Sequence, residues 1–342
     1  MLNTFIMKEA MFYKRLNNEL VQCQLCPQLC AIKSFERGKC GVRENRQSNL
    51  FSLVYGKIAA MAVDPIEKKP LYHFYPNSSA FSISTFGCNM SCLFCQNYEL
   101  SQAPKPNKPV YGHLLEPEEV VKLAIDKKAS IIAYTYSEPT IAYEYYFDIM
   151  RIAKRHGLRN VFVTNGFIQP EPLKKLKGLL DAANIDLKSF SDEFYQQICG
   201  ARLQPVLDAV KSYYELGVWI EVTTLVIPGL NDDFEQLNRI SSFIASISTE
   251  IPWHITRFYP HYRMLDKPET PAESLLKAYE IGKQNGLKFV YIGNIMLGRN
   301  FEDTFCPKCG EVVISRQGFS AQNFLKRGGV CPRCNARVAG RF

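Results

Sequence analysis

Apolar and polar side chains alternate from residue 80 to 86 (Ala-Phe-Ser-Ile-Ser-Thr-Phe), the period of a half-buried strand, and Gly87 turns the chain out of it. Six further apolar runs read as strands: 130–134 before Ser137-Glu138-Pro139, 160–164 before Asn165-Gly166, 183–186 before Lys188, 219–227 before Pro228-Gly229, 253–258, and 288–292 before Gly293-Asn294. Residues 141–154 carry helical spacing instead. Strands alternating with helices predict an α/β fold with a parallel sheet. Polar residues at the carboxyl end of nearly every strand predict a barrel with one mouth, where folds of this kind keep their sites. An open doubly wound sheet would carry G-x-G-x-x-G after its first strand, and none occurs.

The 342 residues suffice for about two domains and a sizeable core. A hydrophobic share of 46% with 22% charged residues excludes collagen-like, disordered and coiled-coil chains. No apolar run reaches the roughly 18 to 20 residues of a membrane span, and residues 1–9 lack the basic and apolar regions of a signal peptide, so a cytoplasmic protein without a membrane partner is expected. The net charge of +8 sits at the two ends. Residues 1–48 hold eight Lys/Arg against four Asp/Glu, and residues 301–342 hold seven against three. Cysteines gather in the same two segments, and a metal held by four thiolates is dianionic, so balancing charge accounts for the basic ends at least as well as a nucleic-acid partner does.

Eleven of the twelve cysteines fall into three groups, which divide the chain into 1–48, 49–300 and 301–342. Cys306, Cys309, Cys331 and Cys334 form two C-x2-C pairs in CPKCG and CPRCN, where Gly310 and Asn335 tolerate the left-handed backbone that ends each knuckle. Two knuckles make a closed tetrahedral site for zinc or rubredoxin-like iron, structural rather than catalytic, and a ribbon of 42 residues needs that metal to fold. Cys23, Cys26, Cys30 and Cys40 are spaced unevenly as C-x2-C-x3-C-x9-C. We read them as ligands of zinc in preference to an iron-sulfur cluster. Cys88, Cys92 and Cys95 are only three, so an iron-sulfur cube held there keeps one iron open to a substrate. Cys199 stands alone and reads as a small buried hydrophobe, and the tyrosines from Tyr134 to Tyr146 read as helix packing.

The C-x3-C-x2-C triplet with Phe94 before its last cysteine resembles the signature of radical S-adenosylmethionine (radical SAM) enzymes. The wider string Ser84-Thr-Phe-Gly-Cys-Asn-Met-Ser-Cys-Leu-Phe-Cys-Gln-Asn97 is similar to the pyruvate formate-lyase activating enzyme branch. The cysteine-rich start ending Gly-Lys-Cys40-Gly-Val-Arg-Glu-Asn45, the string Asp64-Pro-Ile-Glu-Lys-Lys-Pro-Leu-Tyr-His73 and the terminal ribbon resemble the radical enzyme of the AmmeMemoRadiSam system. The resemblance implies a partial TIM-type (β/α) barrel flanked by a cysteine-rich N-terminal segment and a C-terminal zinc ribbon. It implies a 4Fe-4S cluster on Cys88, Cys92 and Cys95, with S-adenosylmethionine chelating the open iron.

Further roles follow from the resemblance alone. Glu138 would accept from the methionyl ammonium, although Tyr136-Ser137 replaces the two glycines of the family's Gly-Gly-Glu-Pro. Asn165 would contact ribose or methionyl groups; Asp186 and Lys188 match the family's D-x-K, Lys188 facing the methionyl carboxylate; His254 matches a strand-end histidine near the adenosine side. Phe94 would also lie at the cofactor. The implied chemistry is reductive cleavage to a 5'-deoxyadenosyl radical that abstracts hydrogen, with a flavodoxin- or ferredoxin-type electron donor and a macromolecular, protein substrate. Competing readings are the same chemistry on RNA and a non-catalytic iron-sulfur electron carrier.

Overall fold

The computed structural model describes residues 7–104 and 108–342; residues 1–6 of the expected first segment lie outside them. Its centre is an eight-stranded sheet: β1 (Ala60–Pro65), β2 (Ser79–Ser84), β3 (Ile131–Tyr134), β4 (Arg159–Thr164), β5 (Ala182–Asp186), β6 (Trp219–Val226), β7 (Trp253–Arg257) and β8 (Val290–Gly293). The strands lie side by side in chain order, parallel from β2 to β8, with β1 antiparallel on the edge of β2. This is the α/β, partial-barrel sheet expected from the apolar runs. The seven predicted strands are present with ends shifted by one or two residues. β1 was not anticipated.

Crossover helices α1 (Pro117–Asp126), α2 (Tyr143–Arg155), α3 (Leu203–Glu215), α4 (Phe234–Ile247) and α5 (Ala272–Gln284) cover the sheet. A capping box between Glu116 and Glu119 with Pro117 in the first turn starts α1. The Asp233 carboxylate accepts from the Gln236 amide to cap α4. Tyr143, Tyr145 and Tyr146 on α2 are buried, and Tyr146 packs on Tyr134 with ring centroids 4.6 Å apart. All four residues of β3 are buried, as suits a central parallel strand covered on both faces.

The N-terminal segment forms two small antiparallel sheets, Tyr13–Arg15 with Val21–Cys23 and Ala31–Ile32, and Lys8–Glu9 with Asn49–Ser52 and Arg43–Arg46. The C-terminal segment is a third, Thr304–Phe305 with Val312–Gln317 and Ser320–Asn323. It packs at the amino ends of the barrel strands: the Arg341 guanidinium sits over the ring of Trp219, the first residue of β6, and Arg316 Nη2 donates to the Tyr72 carbonyl. Among the described residues no helix is long and apolar enough to cross a membrane.

Candidate functional site

The loop after β2 carries Cys88, Cys92 and Cys95 to the carboxyl end of the sheet, beside the ends of β3, β4 and β5. There a cleft of about 560 Å³ is lined by all three cysteines together with Phe94, Glu138, Asn165, Asp186 and Lys188. Eight of the nine positions expected to generate the radical or hold the cofactor thus meet in one place.

The thiols already receive donors. The Met90 amide points at Cys88 Sγ at 3.4 Å, Asn165 Nδ2 reaches the same sulfur at 3.6 Å, and Ser101 Oγ lies 3.1 Å from Cys95 Sγ. Such contacts suit thiolate ligands of an iron-sulfur cluster. Cys92 is buried. Contact with the Cys199 thiol, then burial, push its own thiol well above the ordinary value. Cys199 is therefore more than a spare hydrophobe. It ends a π-helical turn, Tyr195–Cys199, whose carbonyls anchor the cluster loop: the Ser91 amide donates to Cys199 O and the Leu93 amide to Ile198 O.

Glu138 leaves β3 and is buried. Its Oε1 accepts from the Thr140 amide, the Thr140 hydroxyl and the Thr164 hydroxyl, and its Oε2 accepts from the Asn165 amide. Burial outweighs these donors and raises its carboxyl above the usual range, so a cation arriving at Oε2 would be welcomed. Tyr136, where the family has glycine, takes the left-handed backbone with φ of 64°, so the chain keeps a glycine-like path without glycine. Lys188 Nζ lies 2.8 Å from Asp186 Oδ2 and 5.7 Å from the centroid of Phe94. Burial would lower this ammonium, but Asp186 and the Cys92 thiol outweigh burial and hold it well above its ordinary value. Asn165 is occupied with structure: its Nδ2 also donates to Asn89 Oδ1 at 2.9 Å and its Oδ1 accepts from the Phe167 amide, tying the strand end to the cluster loop.

His254 does not belong to this cleft. It is buried with Nε2 2.7 Å from Glu221 Oε2, and Glu221 also accepts from the Tyr72 and His73 amides and Trp219 Nε1. Successive inward positions on a strand stack in layers, and Thr256, two residues on, is the β7 residue that lines the cleft. The strand was assigned correctly; the histidine lies one layer too deep. Sequence reasoning missed Lys68, Lys69 and Tyr136 as lining residues, although the first two sit in the string Asp64–His73.

The fold and this arrangement define a radical SAM enzyme, and comparison with known proteins agrees. Residues 82–240 match the Radical SAM superfamily. An uncharacterized protein of Methanocaldococcus jannaschii is 45% identical over 317 residues, covering 92% of this chain and 93% of that one. Pyruvate formate-lyase 1-activating enzyme of Escherichia coli strain K12 is 24% identical over 175 residues, 49% of this chain and 71% of that protein. The structure of a radical SAM methyltransferase from Sphaerobacter thermophilus shares the fold, with a TM-score of 0.50 at 14% identity over 64% of this chain and 67% of that one. The chain belongs to the radical SAM superfamily and is similar to its pyruvate formate-lyase activating branch. Membership implies a 4Fe-4S cluster and S-adenosylmethionine, and the donor set just described fits both.

Proposed function

We propose that the cleft holds a 4Fe-4S cluster on Cys88, Cys92 and Cys95 and S-adenosylmethionine beside it, and that the enzyme abstracts hydrogen from a protein substrate. The reading is carried by one observation: three thiols, a buried carboxylate and a half-buried ammonium converge at the carboxyl ends of β2 to β5. Held there, a reduced cluster would supply the one-electron chemistry for reductive cleavage of S-adenosylmethionine to a 5'-deoxyadenosyl radical.

The chain's own residues position and exclude. Glu138 Oε2 takes the methionyl ammonium, and Lys188, fixed by Asp186, takes the carboxylate as a compact charge. Asn165 holds the cluster loop and Phe94 walls the pocket. No general acid or base is required, so binding energy goes into orientation. Chemistry of this type classes the chain as an oxidoreductase fed by a flavodoxin- or ferredoxin-type donor, working in the cytoplasm where thiols stay reduced.

The three units 1–48, 49–300 and 301–342 take separate tasks. In the last, Cys306 Sγ lies 3.6 Å from Cys334 Sγ and Cys309 Sγ 3.7 Å from Cys331 Sγ, close to the roughly 3.8 Å edge of a zinc-thiolate tetrahedron, which supports a structural zinc ribbon. Its position at the amino ends of the strands, away from the mouth, counts against a grip by the basic ribbon on RNA at the site. The test is anaerobic reconstitution with dithionite and S-adenosylmethionine, quantifying 5'-deoxyadenosine beside Cys92→Ala. Product that vanishes in the variant is expected. Absence of product together with absence of S-adenosylmethionine binding to a correctly formed cluster would leave an electron carrier instead.

A further inference from the structure

The ribbon and the cluster loop set two standards against which the first cysteine group can be judged. In the ribbon all four sulfurs lie within 4.8 Å of one another, the spacing of ligands around a single ion. Among the described residues neither Cys88, Cys92 and Cys95 nor Cys23, Cys26, Cys30 and Cys40 make so compact a set. A four-iron cube spreads its thiolates to the corners of a body larger than one ion, so wide spacing is what a cluster site needs. The N-terminal four are likewise less compact than a single-ion set, yet face a common space: all of them line one small cavity, walled by Leu25, Ile32, Gly38 and Ile141.

A second observation points into the same cavity. Arg43 lines it and is 1% exposed. Its Nη2 donates to both oxygens of Glu144 at 2.6 Å, but its Nε and Nη1 are buried with no partner among the protein atoms. Buried guanidinium donors left unmade are costly, and the sulfurs of an anionic cluster are the acceptors they lack. The Lys39 amide already points at Cys30 Sγ at 3.4 Å, a contact of the kind that Met90 makes to Cys88.

The cavity is also next to the radical site. Asn89, the residue after Cys88, forms part of its wall, and Gln28 from the cysteine segment donates to the Asn89 carbonyl at 2.8 Å. We propose that Cys23, Cys26, Cys30 and Cys40 hold a second 4Fe-4S cluster, with Arg43 as its buried counter-cation, adjoining the radical-cluster loop through Asn89. This replaces the zinc expected from residue spacing, and it does not rest on turnover of S-adenosylmethionine.

The experiment uses the full chain with Cys88, Cys92 and Cys95 all changed to Ala, which leaves the N-terminal group intact. After anaerobic reconstitution this variant is expected to keep about four iron and four sulfide per chain, against about eight of each in the unaltered protein, and to show a reduced-cluster EPR signal. Adding Cys26→Ala and Cys30→Ala is expected to remove that iron while the zinc of the ribbon stays at about one per chain. A triple variant with no iron, or an unaltered protein with about four iron and two zinc, would overturn the proposal.

Discussion

The Tyr136 hydroxyl donates to Asp64 Oδ2 at 2.5 Å, joining the edge strand β1 to the loop that delivers Glu138. Asp64 also receives Lys69 Nζ at 2.7 Å and Lys68 Nζ at 2.9 Å, and Lys69 Nζ sits 4.5 Å from the Tyr136 ring centroid. Burial would raise the Asp64 carboxyl, but Lys69, Tyr136 and Lys68 hold it far below the carboxylate range, so it stays ionised. These contacts keep a tyrosine in a backbone conformation suited to glycine. Tyr136→Phe is expected to lose about 1.5–3 kcal/mol in urea denaturation, as for a hydrogen bond to a charged group. Tyr136→Gly relieves the positive φ but loses the ring as well, and is expected to be the less stable of the two. A Tyr136→Phe variant as stable as the unaltered protein would show that the Asp64 contact contributes nothing.

Cys199 touches Cys92 through its thiol and anchors the cluster loop through its carbonyl. Hydrogen bonds to cluster sulfurs raise reduction potentials. Cys199→Ala is therefore expected to shift the potential of the cluster proposed on Cys88, Cys92 and Cys95 downward in an EPR-monitored titration, and Cys199→Ser, which keeps a donor, to recover most of the shift. Equal potentials in all three proteins would mean that Cys199 acts by packing alone.

Lys188 Nζ lies 2.8 Å from Asp186 Oδ2 and lines the cleft with the three cysteines. Lys188→Met removes the proposed partner of the methionyl carboxylate and leaves Asp186 facing it. S-adenosylmethionine affinity is expected to fall about tenfold or more by calorimetry on the reconstituted protein, the equivalent of one charge-assisted hydrogen bond. An unchanged affinity would place the carboxylate elsewhere.

The barrel was legible because most of its strands are short apolar runs alternating with helical spacing, and nearly every one closes on polar residues that the fold then presents at the mouth. Glu138, Asp186 and Lys188 stand at or just past such strand ends, and it was the family resemblance that singled them out. What stayed hidden depends on depth and distance. His254 reads as a strand-end residue, but no sequence pattern tells which inward layer a position occupies, and its partner Glu221 is 33 residues away. β1 escaped because Asp64 and Pro65 interrupt its apolar character, the aspartate being satisfied by partners that include lysines after the strand and a tyrosine from another loop. Cys199 looked inert for the same reason: its neighbour Cys92 lies more than a hundred residues back along the chain. The first four cysteines were legible as a group, but the sequence does not say how far apart their sulfurs stand, and that spacing is what separates a single ion from a cluster.

His73 gives the fold a dependence on pH that can be signed from its bonds. It is fully buried, with Nδ1 2.7 Å from the Ala339 carbonyl and Nε2 2.6 Å from the Tyr291 hydroxyl. A carbonyl only accepts, so Nδ1 carries the proton and Nε2 accepts from Tyr291, whose oxygen lies 2.8 Å from Thr304 Oγ1, itself held by Arg316. Burial pushes the imidazole down to about 4. Between that value and the roughly 6.5 of a free histidine, the unfolded chain binds a proton that the folded chain refuses, so stability rises with pH across the window. Acidifying from pH 7 to 4 is expected to remove about 3 kcal/mol through this group, read as a falling urea midpoint at constant slope. His73→Asn, which keeps a donor toward Ala339 but cannot titrate, is expected to flatten the profile between pH 4 and 6.5 even though it starts from a lower stability. An unchanged profile in the variant would assign the acid sensitivity to other groups and show that the neutral imidazole is not what locks the ribbon against the barrel.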